Sequence, residues 1–374
     1  MAMGPRIRLF LTTAFLLSAF ALSAPPASAD WKEEWSRTVA EAEREGGLIV
    51  YAGSPFSTYQ SLLDEFKKRY PKITASFVAG RGAQIGPRII FERRAEKYSG
   101  DLFVGGKGTA YATLYAGKAL DPIQPLLLLP EVLDESKWWQ GKHKYLEPEG
   151  RYIFVFVGNT GSSSITYNTK LVQPREISAY RDLLNLKWKG KIAAYDPRAR
   201  GQDTLLLFFY HHPELGPGFI RKLYGEMGIT FSRDPRQPID WLARGKFAIC
   251  VPCADVQDAM DQGLPIAQAS NLKEGSAISS NGHTISVLNR APHPQATKLF
   301  VNWLLSREGQ IVLQRVKEPP LPSRPNSLRI DIPKDDVPPE HQRAEGKFYF
   351  DGDDPRYSDR RPVDKLLNEI LGGK

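Results

Sequence analysis

From Asp30 onward, short apolar runs alternate with stretches in which apolar residues recur every three to four positions. That alternation predicts strands interleaved with helices, hence an α/β fold built on mostly parallel sheets. Residues 31–45 predict an opening helix closed by Gly46-Gly47, and 48–51 a buried strand. Leu62, Leu63, Phe66 and Tyr70 recur at helical spacing, which predicts a helix over 58–70 stopped by Pro71. A strand over 74–78, a turn at 80–82, a helix over 84–98 and a strand over 101–104 complete a first βαβαβ unit. Residues 120–149, rich in Pro and Leu, carry no period and predict irregular cover. Strands over 151–157 and 163–167 flank a crossing near Gly158–Gly161.

A second α/β set follows, with strands at 191–195 and 247–251 and helices at 204–210, 218–227, 239–243 and 255–262. The strand over 284–288 is expected to return to the first unit, followed by helices over 295–305 and from 307. Residues 318–364 combine Pro with charge and predict a surface-wrapping or partly disordered segment, apart from a short helix near 363–371.

The amino terminus predicts an export signal over residues 1–29. Arg6 and Arg8 precede an apolar run over 9–22, and Ala27-Ser28-Ala29 predicts cleavage before Asp30. The run is shorter than the ~20 apolar residues of a membrane span, and with no lipobox cysteine a free, soluble, periplasmic product is expected. The remaining 345 residues (374 − 29) exceed the roughly 250–300 at which one core stops growing, so two lobes are expected. Net charge is +8, or +6 without Arg6 and Arg8, and it is spread without long basic blocks. Nucleic-acid binding is therefore not expected, and the mild positive excess suits an anionic small molecule.

The order of several motifs resembles a known family. These are Leu48-Ile49-Val50-Tyr51-Ala52-Gly53, Ser99-Gly100-Asp101-Leu102-Phe103-Val104-Gly105-Gly106, Ile165-Thr166-Tyr167-Asn168-Thr169-Lys170-Leu171-Val172, Trp188-Lys189-Gly190-Lys191-Ile192, and the run from Phe300 to Gln310. Together they resemble the type II periplasmic solute-binding proteins, in the branch of ferric-iron and small-anion receptors. The resemblance implies a monomer with two lobes, each a mostly parallel sheet flanked by helices, closing over one small solute. Lobe one would take 30–160 and 276–316, lobe two 161–275, and 317–374 would form an extension packed on the surface. It also implies a membrane permease and an ATPase of an ABC importer as partners, with no cofactor.

Ligands of open α/β sheets bind where strands end and helices begin, which nominates particular loops. After the first strand, Ser54 and Thr58 offer hydroxyls to an anion or cap the helix. Arg81 stands between Gly80 and Gly82, and Lys107 follows Gly105-Gly106, a glycine-rich turn that lacks the Walker spacing. Ser162 and Ser163 lie at the crossing. In lobe two, the loop from Tyr195 to Thr204 is expected to present Asp196, Arg198, Arg200 and the Gly201 amide to an anion. A carboxylate, phosphonate, sulfonate or metal chelate would suit such donors.

Ferric receptors of the family place two tyrosines before a lobe-two helix, where this chain has Cys253 and Ala254, and Pro55 stands where their histidine is expected. A ferric or other metal-binding receptor thus remains the alternative, with an enzyme on the same two-lobe fold a further one. No catalytic motif such as G-x-S-x-G or H-E-x-x-H is present, so no catalysis is expected. Cys250 and Cys253 admit a disulfide, a redox pair, or a soft-metal site with His211 and His212. Cys253 also sits where the resembling family contacts its ligand.

Overall fold

A computed structural model of the chain describes residues 1, 27–53, 56–160, 165–198, 203–234, 236–253, 256–316, 325–337, 342–343, 346–357 and 359–372. The expected export signal falls almost wholly outside these. Among the described residues, no helix is long and apolar enough to cross a membrane.

Two α/β sheets stand on separate hydrophobic cores. In the first, β1 (Gly47–Ala52), β2 (Thr74–Ala79) and β3 (Leu102–Gly105) run parallel in the order β2-β1-β3. Leu48, Val50, Tyr51 and the whole of β3 are buried, the near-continuous burial of a sheet covered on both faces. The strands β4 (Leu120–Asp121), β5 (Lys144–Tyr145), β6 (Ile153–Val155) and β14 (Thr284–Leu288) add antiparallel pairings. Helix Phe56–Arg69 lays Tyr59, Leu62, Leu63 and Phe66 on this core. There Phe66 meets Phe300 and Trp303 of helix Pro294–Leu305 at ring separations of 5.0 and 5.4 Å.

The second sheet has the order β10-β9-β11-β8-β12. Its parallel members are β9 (Ile192–Tyr195), β10 (Thr230–Ser232) and β11 (Ile249–Cys250), and β8 (Thr166–Asn168) runs antiparallel to both β11 and β12 (Ile266–Gln268). Phe208, Phe209 and Tyr224 fill its core. Between the two cores lies a three-stranded sheet of β7 (Asn159–Thr160), β13 (Ser276–Ser279) and β15 (Tyr349–Asp351). The chain leaves the first core through β7 and returns through β13, and β15 from the C-terminal segment joins the crossing.

The C-terminal segment does more than cover a surface. Leu328 joins the first core, whereas Phe350, Val363, Leu366, Leu367 and Leu371 join the second. Elsewhere, the helix expected over 218–227 is Gly216–Ile220 followed by the wider turn Arg221–Glu226. The helix expected to run to 98 ends at Arg94, with Glu96 in a left-handed conformation.

Candidate functional site

The parallel strands of the first sheet end on a floor of glycine backbone. The Gly53 amide donates to the Val104 carbonyl at 2.8 Å. A β-carbon on Gly105 would lie 2.6 Å from the Phe103 ring and 3.2 Å from the Gly53 Cα, so only glycine lets these turns close together. Behind the floor, the Tyr59 hydroxyl donates to the Gly282 carbonyl at 2.5 Å and lies 3.4 Å from Nδ1 of the fully buried His283. The Thr284 hydroxyl donates to the Gly105 carbonyl at 2.7 Å.

Around this floor the nominated residues differ in what they can reach. Arg81 is exposed at the start of helix Gly82–Arg94. Thr58 is fully buried, so its hydroxyl does not face solvent. Lys107 projects from the end of β3, and its ammonium donates to the Gly352 carbonyl and lies 3.8 Å from Asp353 Oδ1. Ser54, Ser162, Ser163, Arg200 and Gly201 lie outside the described residues.

In the second sheet, β9 ends at Tyr195, and Asp196 is tied to β10 by its amide, which donates to the Ser232 carbonyl at 2.8 Å. The Asp196 carboxylate accepts from the Arg198 amide at 2.9 Å, from Arg198 Nε at 2.9 Å and from Nη2 at 2.8 Å. Burial pushes this carboxyl up, but the Arg198 hydrogen bonds outweigh it and hold the group below the usual carboxylate range. The same pairing raises the Arg198 guanidinium. Arg198 is thus turned back onto its own loop by a bidentate pair. Arg233, far more exposed, stands 3.8 Å from the same carboxylate.

Cys250 and Cys253 are joined through their Sγ atoms at the end of β11, with their Cα atoms 5.7 Å apart. Of the histidines considered with them, His211 is exposed. His212 is buried, with Nε2 2.9 Å from the Glu274 carbonyl oxygen. Among the described residues, no three His, Cys, Asp or Glu side chains converge as a metal-holding group.

The seam between the cores is filled by the C-terminal segment. Asp353 accepts from the Ser280 amide at 2.5 Å and from the Ser279 hydroxyl at 3.3 Å. Lys144 bonds Asp351 at 2.7 Å and lies 3.7 Å from Asp353. A β-carbon on Gly352 would fall 2.9 Å from Thr204 Cγ2, at the first turn of helix Asp203–His211. Further on, Arg360 Nη2 donates to the Pro197 carbonyl at 2.6 Å. Lys107, just past β3, and Thr204, in a helix of the second sheet, therefore meet at Gly352, and Arg360 holds Pro197 further along the same segment.

Sequence reasoning missed Arg233, because β10 is only three residues long. It also missed Asp353 and Arg360, because their segment has the composition of a surface tail. The run Asp351-Gly352-Asp353-Asp354 was the available signal, a turn-forming acidic cluster facing a chain rich in cations. A cavity of ≈ 280 Å³ lies beside the seam, against the edge strand β12, lined among others by Thr160, Gln268, Ser276, Lys347 and Tyr349. Among the described residues, none of the nominated loop residues lines it.

Residues 52–311 match the model of the bacterial extracellular solute-binding proteins. A Haemophilus influenzae protein described only as uncharacterized is 24% identical over 322 residues, covering 82% of this chain and 81% of its own. The Trichodesmium protein IdiA (FutA), solved in complex with iron and citrate ligands, aligns at TM-score 0.61 with 19% identity, covering 88% of this chain and 100% of that one. The periplasmic binding protein AfuA from Actinobacillus pleuropneumoniae, solved with exogenous fructose-6-phosphate bound, aligns at TM-score 0.53 with 18% identity, covering 87% of this chain and 98% of that one. These likenesses give the fold, the two-lobed architecture of periplasmic binding proteins, and the family match extends over most of the chain. The chain belongs to the bacterial extracellular solute-binding protein family, and its function is to bind a solute.

Proposed function

We propose that the protein is the periplasmic receptor of an ABC importer and captures one small anion between its lobes, without chemical change to the solute. The observation that supports this reading is that Lys107, beyond β3, and Thr204, in a helix of the second sheet, both lie against Gly352, while Arg360 of the same segment holds Pro197 beyond β9. The partly exposed ammonium of Lys107 and the exposed guanidinium of Arg233, with Arg200 expected beside them, are donors that suit carboxylate or phosphate oxygens. A micromolar complex needs about 8 kcal/mol. Three or four charge-assisted hydrogen bonds at roughly 1.5–3 kcal/mol each reach that order before ordering costs. Iron with citrate in one structural relative and a sugar phosphate in another make citrate, ferric citrate and fructose-6-phosphate the first probes.

Calorimetric titration with these probes and inorganic phosphate tests the reading, paired with small-angle scattering for closure. At least one anion is expected to bind, to compact the protein, and to be recovered intact after denaturation. Arg200→Ala is expected to weaken that anion by about tenfold or more. Consumption of the solute would make the protein an enzyme, and no binding across the set would remove the anion reading.

A further inference from the structure

We propose that residues 349–357 and 359–364 belong to a strap that walls the cleft on its hinge side, and that Asp353 is a positioning residue holding Lys107 at the end of β3. This rests on the cleft reading above. The Asp353 side chain is 1% exposed and the Lys107 side chain 45%, so the carboxylate is the buried member of the pair and the ammonium the solvent-facing one. A carboxylate so deprived of water must be compensated by its surroundings. Its compensation comes from two other parts of the chain. Ser279 and Ser280, at the end of β13, fix the orientation of the carboxylate, and the ammonium groups of Lys107 and Lys144 supply the opposite charge.

Gly352 explains why the strap lies where it does. A side chain there would collide with Thr204 and approach the Ile278 carbonyl oxygen to 3.2 Å. Bare backbone thus slots between the lobe-two helix and the crossing strand, and its carbonyl accepts from Lys107. At the strap's other end, Arg360 is 7% exposed. Its Nε bonds Asp364 at 2.7 Å, and its Nη2 holds the Pro197 carbonyl at the end of β9. One segment therefore grips a strand-end loop of each lobe. The ammonium of Lys107 has three donors, and its exposed side leaves some of them for a solute.

The test is a double-mutant cycle on the full chain, titrated with inorganic phosphate and citrate. Asp353→Asn and Lys107→Ala are each expected to weaken the tighter probe about tenfold, and the double variant to bind no worse than Lys107→Ala alone. An Asp353→Asn loss that persists in the Lys107→Ala background would overturn the positioning role. Ser279→Ala, which removes one hydrogen bond to the same carboxylate, is the milder variant should Asp353→Asn not fold. It is expected to cost about threefold and to be cancelled in the same background.

Hydrogen exchange without any probe separates the strap from the solute. Asp353→Asn is expected to speed exchange of the amides of 106–108 about tenfold or more, with β1 and β2 unchanged. Unchanged exchange would overturn the strap's hold while leaving the cleft reading intact. Faster exchange with unaltered binding by Lys107→Ala would uphold the hold and overturn the role of Lys107 toward the solute.

Discussion

Apart from Leu328 on lobe one and Arg360 on lobe two, the C-terminal segment is fastened to the two lobes by contrasting chemistries. On lobe two it is held by apolar burial: Phe350 packs among Phe208, His211 and Tyr357, and helix Arg361–Leu371 sinks Val363, Leu366, Leu367 and Leu371 into the core. On lobe one it is held by cations. Arg329 is fully buried, donates to Asp331, Glu131 and the Leu305 carbonyl, and lies over the Trp138 ring at 5.6 Å. Lys334 donates to Gln314 Oε1 at 2.7 Å and the Ser327 carbonyl at 2.9 Å. Arg343 donates to the carbonyls of Gly158 and Ser327 at 2.5 and 2.6 Å. Apolar burial is stabilising in itself. Buried cations must first lose their water, so their hold depends on every acceptor being in place and, for lysine, on pH.

The contrast is broken most severely from the apolar side. Leu367→Ala, at a position with no solvent exposure, is expected to cost about 2–5 kcal/mol by urea unfolding, through lost transfer energy and the cavity left behind. A cost under about 1 kcal/mol would mean that this helix is not part of the lobe-two core. Arg329→Met should cost less, about 1–3 kcal/mol. Its partners Asp331 and Glu131 are 24% and 43% exposed and can rehydrate, so the full penalty of a stranded buried charge does not apply. If the arginine change proved the larger, the ionic fastening would be the stronger of the two.

The two fastenings were not equally legible in sequence. Helix Arg361–Leu371 declares itself, because its buried residues recur at helical spacing. The cationic anchor does not, because Pro and Arg in a charged stretch match an exposed tail, and acceptors such as Glu131 and the Leu305 and Gly158 carbonyls lie far away in the chain. The same division runs through the rest of the molecule. The βαβαβ unit from β1 to β3 was readable, since β1 and β3 are apolar runs that are mostly buried, and β2 follows helix Phe56–Arg69 at the expected spacing. The crossing sheet was not, because β7, β13 and β15 are short and partly polar and exist only by pairing with each other. At the site, residue types were legible and their commitments were not. Asp196 and Arg198 were both nominated for an anion, yet a turn two residues long lets the carboxylate take the guanidinium for itself.

The last expected effect is a slope with pH rather than a fixed cost, and it tells the two fastenings apart. Burial, reinforced by the nearby Arg343 charge and partly offset by Asp331, pushes Lys334 down to about 6. The unfolded chain keeps this proton until about pH 10.4. Between those values unfolding takes up one proton, so the wild-type protein gains stability as pH rises, by up to about 1.4 kcal/mol per pH unit from this group. Below the folded value both states are protonated and the cost of the buried charge is fully present. Lys334→Met removes the titration. Its stability relative to wild type should be most favourable near pH 6 and decline steadily toward pH 9, as measured by urea unfolding in matched buffers. The apolar fastening on lobe two predicts no such trend for Leu367→Ala, whose cost should be the same at both ends of that range. A flat difference for Lys334→Met would mean that the lysine stays charged and solvated in the folded protein, and the cationic anchor would lose its pH dependence at that position.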